Sequence, residues 1–169
     1  MAVYKRNLNA LDWIETGHGE RFFNKRKSLT PLDQPYMPKL GISLYRLEPG
    51  KRAFPFHEHS ANDEAILVTK GTGTLRYGDE QISLGEGDYV HLPADSGKAH
   101  QMINTSDAVL EYFCLSSIIV PEVVRYPDSN KIAAYSMTGS GKARKRVGSI
   151  LRNEPVDYWH GEARELDGG

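Results

Sequence analysis

Cysteine is scarce in this chain, since only Cys114 is a cysteine among 169 residues. A single cysteine excludes an intramolecular disulfide framework and fits a reducing compartment. No stretch approaches the roughly 20 apolar residues of a membrane-spanning helix. Residues 1–13 also lack the apolar run of a secretion signal. We therefore expect a cytoplasmic protein with no membrane partner.

The chain also lacks an excess of either charge. Its 21 lysines and arginines stand against 22 aspartates and glutamates, which gives a formal net charge of -1. A near-neutral chain has no overall attraction for nucleic acid, so we expect a small-molecule partner and no nucleic-acid partner. Residues 21–27 interleave basic and aromatic side chains, and a solvated edge strand is favoured there over a nucleic-acid patch.

The middle of the chain is rich in β-branched, leucine and aromatic residues, in short runs that are separated by Gly, Pro, Asp or Asn. This spacing is typical of an all-β sandwich or barrel. About eight strands are predicted, which is the number in a double-sheet jelly roll. Their predicted bounds are residues 42–47, 53–59, 64–70, 73–77, 81–84, 89–92, 100–104 and 110–116.

The two ends of the chain have a different composition from the middle. Residues 1–40 are predicted to form an N-terminal arm, with Asn9 capping a helical turn over residues 10–14. Residues 41–120 form the predicted barrel, and residues 121–169 a C-terminal extension that packs on the barrel or on a partner subunit. Because this arm and the Tyr158 and Trp159 pair offer apolar material that a barrel does not need, we expect a homodimer.

Four side chains in the predicted barrel have the chemistry of metal ligands. His57 and His59 are two residues apart in a predicted strand, so both leave the same face of the sheet. Glu64 begins the next strand after a short link, and His100 begins a later one. Asp63 is the less favoured carboxylate because it points to the opposite face. Three imidazoles and one carboxylate hold one divalent ion and leave open positions on an octahedral metal.

The same segment resembles the two short motifs of the cupin superfamily. The first motif is matched by Gly50, His57, His59, Glu64 and Gly71, with Gly50 one residue further from His57 than is usual. The second is matched by Gly87, Pro93, Gly97, His100 and Asn104, with three residues instead of one between Pro93 and Gly97. This resemblance covers roughly residues 41–117. It implies an all-β double-stranded β-helix, flanked here by the N- and C-terminal arms.

The resemblance also implies a metal site inside the mouth of the barrel, although a metal-free member of the superfamily is the alternative. The ion is one of Fe, Mn, Zn, Ni, Co or Cu, and ligand identity does not choose among them. Ile66, Val68 and Met102 lie on the ligand faces and are predicted to line a substrate pocket. Asn104 is a candidate for the same pocket, with a buried structural role as the favoured alternative.

Three functional hypotheses remain open from the sequence. The first is a metal-dependent enzyme that acts on a small oxygenated substrate, for example by isomerising a sugar or sugar phosphate, because similar single-domain bacterial cupins carry that label. The second is an iron-dependent dioxygenase. The third is a metal-dependent binder or sensor without catalysis, since no acid or base beyond the ligands is recognisable. The basic clusters at residues 21–27 and 142–146 are candidates to meet a phosphate group.

Overall fold

Thirteen strands make up most of the regular structure in the computed structural model, which describes residues 3–157 and 160. The strands are β1 (Ile14–His18), β2 (Phe22–Ser28), β3 (Leu40–Leu47), β4 (Glu58–His59), β5 (Glu64–Lys70), β6 (Thr72–Tyr77), β7 (Glu80–Gly85), β8 (Tyr89–Leu92), β9 (His100–Ile103), β10 (Leu110–Ser117), β11 (Glu122–Tyr126), β12 (Lys131–Thr138) and β13 (Lys145–Arg152). Three short 3₁₀ turns at Leu8–Ala10, Pro127–Ser129 and Gly141–Ala143 complete the regular structure. Within the described part, no helix is long and apolar enough to cross a membrane.

The strands form three antiparallel sheets. The largest has the order β1-β2-β3-β10-β5-β8, the second the order β13-β12-β11-β4, and the third the order β7-β6-β9. Isolated bridges join Arg52 to Ile103 and His57 to His100. The connection between residues 52 and 57 therefore contacts β9 of the third sheet at two points. This all-β arrangement is the predicted barrel, a double-stranded β-helix.

The hydrophobic core lies between the largest sheet and the three-stranded sheet. In β5, Ile66 and Val68 are buried while Leu67 is exposed, because alternate side chains of a strand point to opposite faces. Tyr45 and Tyr112 face each other across β3 and β10 and complete this wall. Across the core, the buried side chains of the three-stranded sheet are Leu75, Leu84 and Met102. The ligand-bearing ends of β5 and β9 are thus attached to a rigid, apolar body.

Several strand predictions agree with the structure and one does not. The strands predicted at residues 64–70 and 89–92 have these bounds in β5 and β8. The prediction for residues 53–59 is wrong, because only Glu58 and His59 form a strand there. Pro55 interrupts the segment, since proline has no N–H to donate to a strand ladder.

The N-terminal region also departs from its predicted local structure. The first turn spans Leu8–Ala10, and its cap is Asn7, whose side chain accepts a hydrogen bond from the Asn9 N–H at 2.8 Å. The predicted helical turn at residues 10–14 is therefore wrong, and Ile14 begins β1 instead. Residues 22–28 do form a strand, but β2 lies between β1 and β3 and is not an edge strand.

The C-terminal part of the described chain forms three strands of the second sheet. β11 pairs with β4, so the extension is hydrogen-bonded to the segment that carries His59. Across this pair, the Arg125 guanidinium donates to the Glu58 carboxylate at 2.8 Å. The predicted docking of Tyr158 and Trp159 lies outside the described residues.

Candidate metal centre

The four predicted ligands come together from three different sheets. Glu64 begins β5 in the largest sheet, His59 ends β4 in the second, and His100 begins β9 in the third. His57 lies just before β4. One ligand atom from each of these side chains lies within 4.8 Å of the others, which is a separation that a single ion can span.

The backbone fixes two of the histidines directly against each other. His57 and His100 form an antiparallel bridge in which each N–H donates to the other's carbonyl, at 3.1 and 2.7 Å. Their ring centroids are 4.5 Å apart, and the His57 and His59 rings are 5.1 Å apart. The Glu64 carboxylate lies 3.0 Å from Nε2 of His100 and 3.7 Å from Nε2 of His59. Three imidazoles and a carboxylate thus surround one small volume.

The turn before His100 is longer than in the cupin motif, and local contacts accommodate the extra residues. Asp95 adopts a left-handed conformation with φ of 52°. Its N–H donates to the His59 carbonyl at 2.8 Å, while the N–H of Ala94 donates to the Asp63 carboxylate at 2.8 Å. The longer turn is therefore attached to the segment that carries His59 and Glu64, and His100 reaches the cluster.

The electrostatics of the cluster favour the protonation states that metal ligands require. Burial and, to a smaller extent, the nearby His100 lower the pKa of His57 to about 4. Burial alone would raise the pKa of Glu64, but the hydrogen bond with His100 and the neighbouring imidazoles outweigh it and lower this pKa to about 2. Near neutral pH, His57 is uncharged and Glu64 is ionised, and these forms coordinate metals.

A second carboxylate, which the sequence did not reveal as functional, lies behind the cluster. Glu122 is only 1% exposed, and its Oε2 lies 3.5 Å from Nδ1 of His59. Its other oxygen, Oε1, accepts from the N–H groups of Ser60, Ala61 and Val123 at 2.9 to 3.1 Å. Nδ1 of His59 makes no hydrogen bond within the described residues, so the Glu122 carboxylate places a negative charge behind the imidazole ring without a hydrogen bond to it.

One local signal for Glu122 was present in the sequence. Residues 122 and 124 share a strand face, and Val124 is buried, so a charged residue occupies an inward position. His57 has a closer contact on the same ring atom, because its Nδ1 lies 2.8 Å from the Pro55 carbonyl oxygen. Nδ1 of each histidine therefore faces an oxygen, but within the described residues only that of His57 is hydrogen-bonded.

The cluster opens into a cavity of about 280 Å³. Its lining contains all four predicted ligands together with Tyr45, Ala53, Phe54, Ile66, Gln101, Met102, Tyr112, Cys114 and Arg146. Two of the predicted pocket residues, Ile66 and Met102, are in this lining. Val68 is not, because it lies deeper in the core at 1% exposure.

Asn104 does not line the cavity either. It is fully buried, and its amide donates to the carbonyls of Leu47 and Ala108 at 2.9 and 2.8 Å. Its side-chain oxygen accepts from the N–H of Ser106 at 3.0 Å. The bonds to Ala108 and Ser106 stabilise the turn that follows β9, and the bond to Leu47 joins this turn to β3, so the structural role that the sequence favours for Asn104 describes these contacts.

The inner wall of the cavity carries three groups that remain protonated near neutral pH. Burial raises the pKa of Tyr45 to about 12 and raises those of Tyr112 and Cys114 well above their usual values. The Cys114 thiol lies 3.8 Å from the Glu64 carboxylate. A thiol coordinates metals as thiolate, so the raised pKa disfavours Cys114 as a further ligand.

Comparison with known proteins agrees with this geometry. The family model described as "Cupin domain" matches residues 43–116, which include both motifs and all four clustered side chains. Residues 43–116 are a cupin domain. The strands outside the match, β1, β2 and β11 to β13, flank this cupin domain on the largest and second sheets.

Two solved structures share the cupin fold over most of this chain. A proposed sugar phosphate isomerase from Acidithiobacillus ferrooxidans is 28% identical, with a TM-score of 0.60 over 74% of this chain and 76% of that one. A sugar phosphate isomerase from the cupin superfamily of Silicibacter pomeroyi is 22% identical, with a TM-score of 0.67 over 86% of this chain and 92% of that one. The second likeness shows the fold alone.

A curated relative is the quercetin 2,3-dioxygenase of Bacillus subtilis. It is 29% identical over 100 residues, which are 59% of this chain. The match covers 30% of the relative's own length. The matched part of this chain therefore corresponds to less than a third of that enzyme.

Proposed function

We propose that this cupin is a metalloenzyme that holds one divalent ion on His57, His59, Glu64 and His100. The observation that carries the proposal is the convergence of these four ligand atoms within 4.8 Å at the wall of a cavity. The donor set fits such an ion, because the pKa values keep His57 neutral and Glu64 ionised near neutral pH. A bound ion would supply Lewis acidity to a carbonyl or hydroxyl group of the substrate.

The residues of the cavity define what kind of substrate fits. A volume of about 280 Å³ is small for a ligand site and suits a molecule of a few carbon atoms. Phe54, Ile66 and Met102 supply an apolar wall that excludes water from the cluster. Gln101 and the two tyrosines offer a few polar groups for orientation. We propose a small oxygenated substrate and, as the reaction, isomerisation of a sugar or sugar phosphate, which the name of the Acidithiobacillus protein supports.

An iron-dependent dioxygenase is the second candidate. It is supported by the similarity of the cupin domain to quercetin 2,3-dioxygenase. Three imidazoles and a carboxylate suit iron as well as they suit an isomerase metal. Oxygen consumption that depends on added ferrous ion would favour the dioxygenase over the isomerase.

The deciding experiment has two stages. Elemental analysis of protein purified without chelator or added metal should give about one ion per chain. His57→Ala should lose it, while His91→Ala, on the exposed side of β8, should retain it. The loaded protein is then incubated with a panel of aldose and ketose phosphates. Interconversion of one of them is expected. Absence of metal from the wild type would refute the metal centre.

Failure of every sugar phosphate would refute the isomerase. Thermal stabilisation by a ligand without turnover would then favour a metal-dependent binder or sensor. A cytoplasmic location and a small-molecule partner, with no nucleic acid or membrane, remain part of this proposal.

We also propose a homodimer. Its support is the exposed edge strand β13, where Val147, Ile150 and Leu151 are 46% to 62% exposed. A paired edge would cover these side chains. Light scattering that reports a mass near 18.9 kDa at micromolar concentration would contradict it.

A further inference from the structure

Arg146 brings a positive charge from the C-terminal extension to the candidate metal cavity. It lies on β13 and is part of the cavity lining together with His59 and Glu64. Its guanidinium carbon lies 3.4 Å from the centroid of the Tyr135 ring on β12. Stacking on an aromatic ring fixes the plane of the guanidinium and leaves its N–H edges free to donate. The side chain is thus held in place with unused donors at the cavity.

Arg26 approaches the same region from the largest sheet. It lies on β2, opposite Tyr45 of β3, and its charge and hydrogen bond act to lower the pKa of the Tyr45 hydroxyl. Its Nε is buried and has no hydrogen-bond partner among the residues that the structure describes. A buried donor without a partner costs free energy, so this group is suited to an acceptor supplied by a ligand.

The two arginines line one further cavity of about 390 Å³. This cavity is also lined by His59 and Glu64, so it adjoins the metal-facing cavity at the cluster. Most of the remaining lining is apolar and consists of Leu32, Met37, Ile118, Ile119, Val120 and Met137, with Asn62, Ser116, Ser117 and Tyr135 as its other members. An apolar surrounding strengthens the attraction between an anion and fixed positive charges.

Neither arginine is neutralised by an acidic side chain within residues 3–157. The ion pairs of this region do not include Arg26 or Arg146. The one carboxylate in the shared lining, Glu64, is engaged by His100 and His59. Two uncompensated guanidinium groups therefore face a cavity that contains little other charge.

We propose that Arg26 and Arg146 form a binding subsite for an oxyanion group of the substrate, a carboxylate or a phosphate ester. Guanidinium groups present paired N–H donors that match the oxygens of both groups. The subsite adjoins the histidine and glutamate cluster, so one small molecule could place its anionic group between the arginines and its oxygenated carbon at the cluster. The placement of the oxygenated carbon at the cluster rests on the proposed function. Binding of an anion between the arginines does not, because it is measurable without metal.

The test is isothermal titration calorimetry on the full-length chain after removal of metal, with inorganic phosphate in one arm and succinate in the other. Arg146→Gln is the main variant, because position 146 is exposed and the change should leave the fold intact. Arg152→Gln is the matched control, since Arg152 lies on the same strand with a side chain that is 83% exposed. Arg26→Gln and Arg26→Lys complete the set.

We expect phosphate, succinate or both to bind the wild type. The control Arg152→Gln should bind the same probe with the same affinity. Loss of one charge-assisted hydrogen bond should weaken that binding roughly tenfold or more in Arg146→Gln and Arg26→Gln. Arg26→Lys should restore part of it, and added salt should weaken it in the wild type. The arm that binds identifies the group as phosphate or carboxylate.

Two outcomes would overturn the subsite: no binding of either probe to the wild type, or equal binding by Arg146→Gln and the wild type. If Arg26→Gln does not fold, the binding measured for Arg146→Gln and Arg26→Lys still tests the subsite. Elemental analysis of the same proteins before metal is removed separates this result from the proposed function. Anion binding in a wild type that takes up no metal would refute the metalloenzyme and leave the subsite standing.

Discussion

Replacing Glu122 by glutamine tests whether this buried carboxylate positions His59. In the wild type, Oε1 accepts three backbone N–H groups, and Oε2 accepts from Asn62 and lies 3.5 Å from Nδ1 of His59. Glutamine retains one oxygen for the backbone donors and places an NH₂ group where Oε2 was. That NH₂ faces the Asn62 amide donor, so one charge-assisted hydrogen bond is lost and a buried donor is left unsatisfied.

The magnitude follows from these contacts. A hydrogen bond to a charged group contributes about 1.5 to 3 kcal/mol, and the three remaining bonds weaken when the acceptor becomes neutral. We expect Glu122→Gln to lower the free energy of unfolding by about 3 kcal/mol. Because the negative charge that lies 3.5 Å from Nδ1 of His59 is also lost, the affinity of the protein for the ion found in the wild type should fall by roughly 10- to 100-fold.

The assays are urea unfolding of the metal-free protein and competition titration with a chelator for the metal. The control is Glu15→Gln, a carboxylate on β1 that is half exposed and paired with Lys25 at 3.0 Å. A surface pair contributes about 0 to 1 kcal/mol, so this control should leave both measurements nearly unchanged. If Glu122→Gln unfolds at the wild-type urea concentration and binds metal as tightly as the wild type, the positioning role is wrong.

Three further predictions concern stability. Because the pKa of folded His57 is about 4 and its ordinary value is 6.5, the unfolded chain takes up the proton first, and metal-free protein should lose stability as pH falls from about 6.5 to about 4. Urea midpoints across this range measure the loss, and His57→Gln should remove most of it. Gly71→Ala should destabilise by more than about 2 kcal/mol, because its φ is +77° and a Cβ would lie 2.4 Å from the Val109 carbonyl oxygen. Gly87→Ala also has a positive φ, of +90°, but its Cβ would meet open space, so it should lower the free energy of unfolding by only about 1 kcal/mol. Thermal unfolding of both variants is the measurement, and equal shifts in Tm would contradict the predicted clash at Gly71. Asn104→Ala should lower the free energy of unfolding by about 4 kcal/mol, because four side-chain hydrogen bonds are lost. It should keep full metal content by elemental analysis, and loss of metal from the folded variant would contradict a purely structural role.

The sequence by itself determined the fold class and the candidate ligands. Alternation of apolar and polar residues is a local signal, so it located β5 and β8 with their observed bounds. The four ligand types at cupin spacing identified His57, His59, Glu64 and His100, because short links keep the first three close together in any compact arrangement. Where a local rule was broken, as by Pro55 in the predicted strand at residues 53–59, the prediction failed.

Only the tertiary structure decided what surrounds those ligands. Glu122 reaches His59 because β11 pairs with β4, and Arg26 and Arg146 reach one cavity through β2 and β13. These pairings join residues that are far apart in the chain. The alternation of apolar and polar residues along a strand predicts which face points inward, but it does not predict which strand lies beside it. Val68 and Asn104 lie deeper than the cavity lining for the same reason, since a shared strand face does not fix depth in the core. Strand order and depth depend on how all three sheets pack together, and that packing positions the groups that orient the ligands and face a substrate.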